Sequence, residues 1–261
     1  MTAPWPAALP AVDLSALSHR RLSRMRRAAS DLFDVLDTFA RESRHPVGDA
    51  IATTAGPFSC AQHYPSSDVE DPNTGCAWYY HAHCAEQAPA WNEHGHFHCF
   101  IYTERLSPAA QPMALPAQPD WRNGGLVHLA AISFDASGTP IRLFVPNRWV
   151  TDEWLYPSRH VIALLDHFCI ATGDPRYALT TRFLAAVLRL FHPHIAAALR
   201  HRDRAVRGQV QKRELGFTED RGVPVVASMA LDLDVHVAAV DREWSSRKAA
   251  QRAMIQIPPR N

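Results

Sequence analysis

The chain has 261 residues, 47 % of them apolar and 20 % charged, with a formal net charge of +1. That length and composition describe an ordinary globular protein able to bury a substantial core, and they exclude an intrinsically disordered chain. The near-zero charge gives no global reason to expect nucleic acid, an anionic membrane or an acidic partner. The five cysteines, at 60, 76, 84, 99 and 169, are odd in number and lack paired CxxC spacing, so reduced and mostly buried thiols are expected in place of a disulfide framework. The Ala/Pro-rich start is followed by an arginine-rich segment where a signal peptide needs an apolar stretch, and no apolar run approaches the roughly 20 residues that span a bilayer. A cytoplasmic protein without a membrane segment is the expectation.

Residues 1–12 read as a flexible tail, and 13–261 as a single α+β domain. Asp13 or Ser15 can cap a helix running to about Ser43, because Leu14, Leu17, Met25, Leu32, Phe33, Leu36 and Phe39 recur at helical spacing. Its arginines avoid the apolar stripe and read as a solvated outer face. From about 50 to 75 the pattern is irregular. Residues 76–84 and 94–103 read as strands, and 104–123 as a proline-rich connection. Leu126–Phe134 and Thr139–Val145 are two apolar strands joined by Asp135-Ala136-Ser137-Gly138, a hairpin signal. Together they predict an antiparallel sheet of about four or more strands, roughly residues 76–146, packed with the N-terminal helix and several C-terminal helices. Helical periodicity begins near Pro157 and continues in segments to a last helix over 223–247, although Val225-Val226 alone is compatible with a strand. The sheet-rich half is about 50–150 and the helical half about 157–247.

Seven of the 15 histidines, at 63, 81, 83, 94, 96, 98 and 128, fall within about a quarter of the chain. In a strand alternate side chains share a face, so His94, His96 and His98 line one side and Phe97 and Cys99 the other. A helix would scatter the same three over about 200°. His81 and His83, with Tyr79, form a second alternating set just upstream. Five alternating imidazoles are expensive to bury without a shared purpose, because both nitrogens of each need partners. Three uses are open: a metal site, a metal-free catalytic histidine site, or a structural polar cluster. The metal site is the leading reading. Imidazole suits iron, copper and zinc, and His-x-His on a strand aims two nitrogens at one ion. His81, His83, His96 and His98 rank first as ligands, then His94 and His63, with His128 last. Glu93 is the candidate general base, Tyr79 a candidate proton donor, and Arg148 a candidate anchor for an anionic substrate group. The ion expected is iron or copper, with zinc open, and no organic cofactor is expected. No HExxH helix of the common metalloproteases and no CxxCH of covalent haem is present.

Three resemblances attach to this stretch. His94-Gly95-His96-Phe97-His98-Cys99-Phe100 resembles the histidine-triad pattern of nucleotide hydrolases and transferases, which implies His96 as nucleophile; Gly95 departs from that pattern. His96-Phe97-His98 is similar to the His-hydrophobe-His metal strand of rolling-circle replication and relaxase nucleases, which implies a tyrosine nucleophile, here Tyr177. The widest likeness is to an uncharacterised bacterial family, a domain of unknown function. Its His-Tyr-Pro, Tyr-Tyr-His-x-His, Glu-His-Gly-His-Phe-His and Asn-Arg-Trp-Val-Thr motifs stand here at 63–65, 79–83, 93–98 and 147–151. That family carries no function, but the likeness joins His63 and Asn147-Arg148-Trp149 to the constellation. The sequence therefore points first to a metalloenzyme activating oxygen or water on a small molecule, with oxidation favoured over hydrolysis. The alternatives are a metal-binding or sensing protein without catalysis, and a nucleotidyl or phosphodiester enzyme.

Overall fold

A computed structural model of the protein describes residues 9, 11–52, 58–60, 62–83, 92–119, 125–171, 174–211 and 216–255. Six strands form one antiparallel sheet in sequence order: β1 (His63–Asp71), β2 (Cys76–Ala82), β3 (Gly95–Tyr102), β4 (Leu126–Phe134), β5 (Pro140–Pro146) and β6 (Val225–Ala230). With the helices gathered around it, the architecture is α+β, as the sequence pattern predicts. The expected tail of residues 1–12 lies mostly outside the described residues.

Helix α1 (His19–Arg41) starts one turn later than the sequence suggests. Ser18 is its cap, its hydroxyl accepting the Arg21 N–H at 3.2 Å, whereas Asp13 caps only a short turn at Leu14–Ala16. Leu22, Met25, Leu32, Val35 and Phe39 form its buried stripe. Its arginines are not uniformly solvated: Arg21 and Arg24 both pair with Asp166, fastening α1 to the C-terminal half. Helices α2 (Pro46–Ala52), α3 (Arg148–Thr151), α4 (Ser158–Leu164), α5 (Ala178–Leu190), α6 (His192–Gln211) and α7 (Leu233–Ile255) complete the chain. Helix α1 packs against α5 and α7, while α6 lies against α4, β5 and β6. The main core joins Leu22 and Leu32 of α1, Phe183 and Val187 of α5, and Trp78, Tyr80, Phe97, Ile132 and Leu143 of the sheet. The helices thus cover the face opposite the alternating histidines.

Three expectations are corrected. The segment expected to be irregular, 50–75, contains the end of α2 and all of β1. The segment expected to be one helix from 223 begins with β6, an edge strand, and α7 starts only at Leu233. Cys60 is disulfide-bonded, while Cys76, Cys99 and Cys169 are free thiols.

Candidate metal centre

The register places residues of successive strands in cross-strand rows. His63 pairs with His81, His81 with His96, His96 with Ser133, and Ser133 with Arg142. The next row runs Tyr79, His98, Ala131 and Phe144. Directly opposed residues of an antiparallel pair share a face. Tyr79, His81, His96 and His98 therefore stand together on the face away from the helices. His83 lies just past β2, and its backbone N–H donates to the His94 carbonyl at 3.0 Å, so it keeps the alternation of the strand.

Glu93 completes the group. Asn92 before it has a positive φ of 60°, a bend that asparagine tolerates, and the Glu93 carboxylate is buried. Glu93 Oε1 lies 2.9 Å from His96 Nδ1, an N–H···O bond when that nitrogen carries the proton. Its second oxygen, Oε2, lies 3.8 Å from His83 Nε2, beyond hydrogen-bond range. Both of those atoms are buried and have no hydrogen-bond partner among the described residues. One ligand atom from each of His83, Glu93 and His96 falls within 4.8 Å of the others. Two imidazoles and a carboxylate thus converge, with two buried polar atoms aimed at the same space.

The electrostatics suit coordination. Burial, reinforced by neighbouring imidazoles, lowers the pKa of His81 to about 3 and of His83 to about 4. Neutral imidazole is the form that binds metal. Burial pushes the Glu93 carboxyl upward, but the attraction and hydrogen bond of His96 outweigh it and hold the group ionised, below its ordinary value. Ser133, opposite His96, lies near that carboxylate.

The other candidates have distinct places. The His81 ring sits 4.9 Å from that of His83 and 5.5 Å from that of His96, beside the convergence. His98 is spoken for: its Nδ1 lies 2.9 Å from His128 Nε2. His128 reaches this face because the register slips between Cys99 and Phe100, so that Phe100 pairs with His128 and Leu129 and Ala130 both join the opposite core. A bulge of this kind re-aims the side chains beyond it. Glu153 accepts the His128 backbone N–H at 2.9 Å, and burial raises its carboxyl to about 7 against the opposing charge of Arg202. Tyr79 is buried between the rings of His63 and His98, at 3.8 and 5.0 Å, and burial raises its pKa, so the phenol keeps its proton.

Four residues stand differently from what the sequence suggests. His94 is not on the histidine face: its Nδ1 lies 2.7 Å from the Tyr80 hydroxyl, and Tyr80 belongs to the helical core. The strand proper begins at Gly95, so alternation does not extend back to His94. Gly95 itself allows the approach, since a Cβ there would lie 2.5 Å from the Tyr80 hydroxyl oxygen and 2.4 Å from the His81 carbonyl. His63 shares the face but stands exposed on the edge strand, its ring 5.8 Å from that of His81. Arg148 is buried and committed to Glu219, by two hydrogen bonds, and to Asp152 at 2.6 Å. With Asn147, whose amide donates to the Phe217 carbonyl, and Trp149, whose indole donates to the Asp220 carbonyl, Arg148 fastens the exit of β5 to the segment around 217–220. Tyr177 packs edge-on against Trp78 in the helical core, on the wrong side of the sheet to serve His96 as a nucleophilic partner.

A family profile described as a domain of unknown function, DUF6969, matches residues 26–231. The chain belongs to this family. No curated protein and no solved structure matches it. All four motifs lie inside the matched span of the DUF6969 domain, so the converging groups and the Asn147-Arg148-Trp149 fastening belong to one unit. None of the described helices is long and apolar enough to cross a membrane.

Proposed function

We propose that this DUF6969 protein is a metal-dependent enzyme acting on a small molecule, with His83, Glu93 and His96 as the ligands of one transition-metal ion. The observation that carries the reading is the pair of buried, unpartnered ligand atoms, His83 Nε2 and Glu93 Oε2, converging with His96. Leaving such atoms unsatisfied costs about 1–3 kcal/mol each, which a bound cation offsets. Two imidazoles and one carboxylate are the donor set of oxygen-activating iron(II) sites and of hydrolytic zinc sites, and a carboxylate in the set favours these ions over copper. When bound, the ion would activate oxygen or water in positions that the three protein ligands leave open. Apolar rings border the ligands, Phe144 packing edge-on against His96 and Tyr79 stacking on Phe100. His81 is the neutral imidazole placed to move a proton beside the ligands.

Elemental analysis of protein purified without an affinity tag tests this. About one equivalent of iron or zinc per chain is expected, reduced to background in His83→Ala and Glu93→Gln. Protein that stays metal-free and takes up neither ion on reconstitution would sink the proposal. An azide-induced change in the spectrum of the cobalt-substituted protein separates an open enzyme site from a closed binding or sensing site.

The 2.9 Å contact of Glu93 with His96 Nδ1 supports a second reading without metal. There Glu93 orients His96 so that Nε2 acts as base or nucleophile in phosphoryl or nucleotidyl transfer. Its decisive sign is a covalent adduct on His96 that forms in the presence of a chelator. A cytoplasmic setting belongs to the leading reading, while the disulfide at Cys60 weighs towards an oxidising compartment. Cell fractionation decides between the two.

A further inference from the structure

A second cluster of buried polar atoms lies beyond the metal ligands. His128 Nδ1, Glu153 Oε1 and Arg202 Nη1 have no hydrogen-bond partner among the described residues, and their side chains are at most 1 % exposed. They come from three elements: His128 from β4, Glu153 from the segment after α3, and Arg202 from α6. Glu153 Oε2 accepts the His128 backbone N–H at 2.9 Å. Arg202 Nη2 donates to the Tyr156 carbonyl at 2.6 Å and to Asp203, whose other oxygen accepts the Ser158 N–H at 2.7 Å. Helix α6 is thus pinned to the chain just past Glu153, and the Arg202 charge acts on both Glu153 and His128. The cluster touches the histidine face at one end. His98 Nδ1 lies 2.9 Å from His128 Nε2, and the His98 ring is 4.5 Å from that of His96.

We propose that His128, Glu153 and Arg202 enclose a water molecule, and that Glu153 with this water stores a proton for the histidine face, exchanging it through His128 and His98. Water fits the donor set, because Arg202 Nη1 only donates, an ionised Glu153 Oε1 only accepts, and His128 Nδ1 does either. A cation there would face the Arg202 charge, and an anion the Glu153 carboxylate. Buried waters make about three such hydrogen bonds. Inward transfer starts with Nδ1–H on both imidazoles. As a proton arrives at His98 Nε2, His98 Nδ1 passes its own to His128 Nε2. His128 Nδ1 then gives its proton to the water, which hands one to Glu153 Oε1. Both histidines begin and end neutral, in exchanged tautomers, so the net change is one carboxylate becoming a carboxylic acid. Burial lifts the Glu153 carboxyl to about 7, where it can hold or release a proton near neutrality. The cations facing it offset burial only in part, since Arg202 is paired with Asp203, and Arg148 with Glu219 and Asp152. Tyr79, the remaining titratable neighbour, keeps its phenol proton. Use of the stored proton in catalysis rests on the metal-centre reading, whereas the water and the store do not.

Infrared difference spectroscopy of the full chain, metal-free and cobalt-loaded, tests this. Between about pH 5 and about pH 9, on either side of 7, a buried carboxylic acid band should give way to carboxylate, and Glu153→Gln should abolish that band. In heavy water the band shifts as the acid proton exchanges. His128→Gln should slow that exchange on the order of 100-fold, within the range a positioned proton-transfer group contributes. If His128→Gln fails to fold, His98→Gln carries the comparison. An atomic-resolution crystal structure should show a water within hydrogen-bond range of all three atoms. No band assignable to Glu153, exchange as fast in a folded variant as in the wild type, or a dry cavity would overturn the proposal. If the chain takes up no metal yet shows the band and its slowed exchange, the metal reading falls and the proton store stands.

Discussion

The six strands carry two buried surfaces built from the same alternation with opposite chemistry. Towards the helices, Phe97 sits at the centre of an aromatic group, with ring separations of 5.4 Å to Trp78, 4.8 Å to Tyr80 and 5.4 Å to Phe134. Its polar handle is satisfied, the Trp78 indole donating to the Thr181 hydroxyl at 2.9 Å. On the other side the same two strands present His81, His83, His96 and His98, and atoms of His83 and Glu93 are buried without partners among the described residues. A surface built only for stability pairs its polar atoms. The contrast teaches that one face of β2 and β3 pairs its polar atoms while the other leaves atoms of His83 and Glu93 unsatisfied among the described residues.

The largest test of that division falls on the stabilising face. Phe97→Ala should cost about 3–5 kcal/mol in urea unfolding, while the fraction that remains folded keeps its full metal equivalent. A loss of metal from folded Phe97→Ala protein would mean that the two faces are not separable. Next comes the fastening of β5. Arg148→Ala should destabilise by about 2 kcal/mol, because two carboxylate partners lose a buried guanidinium, and should leave metal uptake unchanged. Loss of metal from folded Arg148→Ala protein would tie this fastening to the centre. The smallest effect is one of pH. The folded pKa values of His81 and His83, about 3 and about 4, lie below the ordinary 6.5, so the unfolded chain takes up protons first as pH falls. The stability from keeping these rings neutral is complete above 6.5 and is lost as pH falls through about 4 to 3. His192 and His194, among the helices, are also lowered to about 4 and contribute in the same window. Replacing His81 and His83 together by Gln should make the fall in unfolding midpoint between pH 6.5 and 4 shallower, leaving the part due to the other depressed histidines, His98 and His128 on the sheet and His192 and His194 among the helices included. An unchanged slope would show that His81 and His83 do not bear on acid stability.

Much of this was legible from residue spacing, and the misses share a cause. Strands β2 and β3 alternate because each is packed on a core, and Leu126–Phe134 matched its expected bounds residue for residue although β4 breaks alternation at Leu129 and Ala130. Strand β1 was invisible because an edge strand need not bury alternate residues: its register slips between Tyr64 and Val69, and its exposed positions follow no period. Strand β6 is too short for periodicity to separate it from the helical pattern that follows. At the site, alternation found His81, His83, His96 and His98, and proximity in sequence found Glu93. It misplaced His94, whose backbone precedes the regular strand. It could not rank His128, which a bulge turns to the face, nor see that Arg148 is committed elsewhere, since that depends on where Glu219 and Asp152 lie in space. Chemistry set by local pairing was readable; chemistry set by distant partners was not.

The three converging groups all belong to one hairpin, between His83 and His96, and so need only β2 to pair with β3. The helical core, by contrast, joins Leu22 to residues as distant as Val240. Contacts between sequence neighbours form early and cost little chain entropy to close. During synthesis, a cation entering this hairpin would meet its ligands before α5 and α6 had emerged from the ribosome, and the order of assembly would run from the site outward.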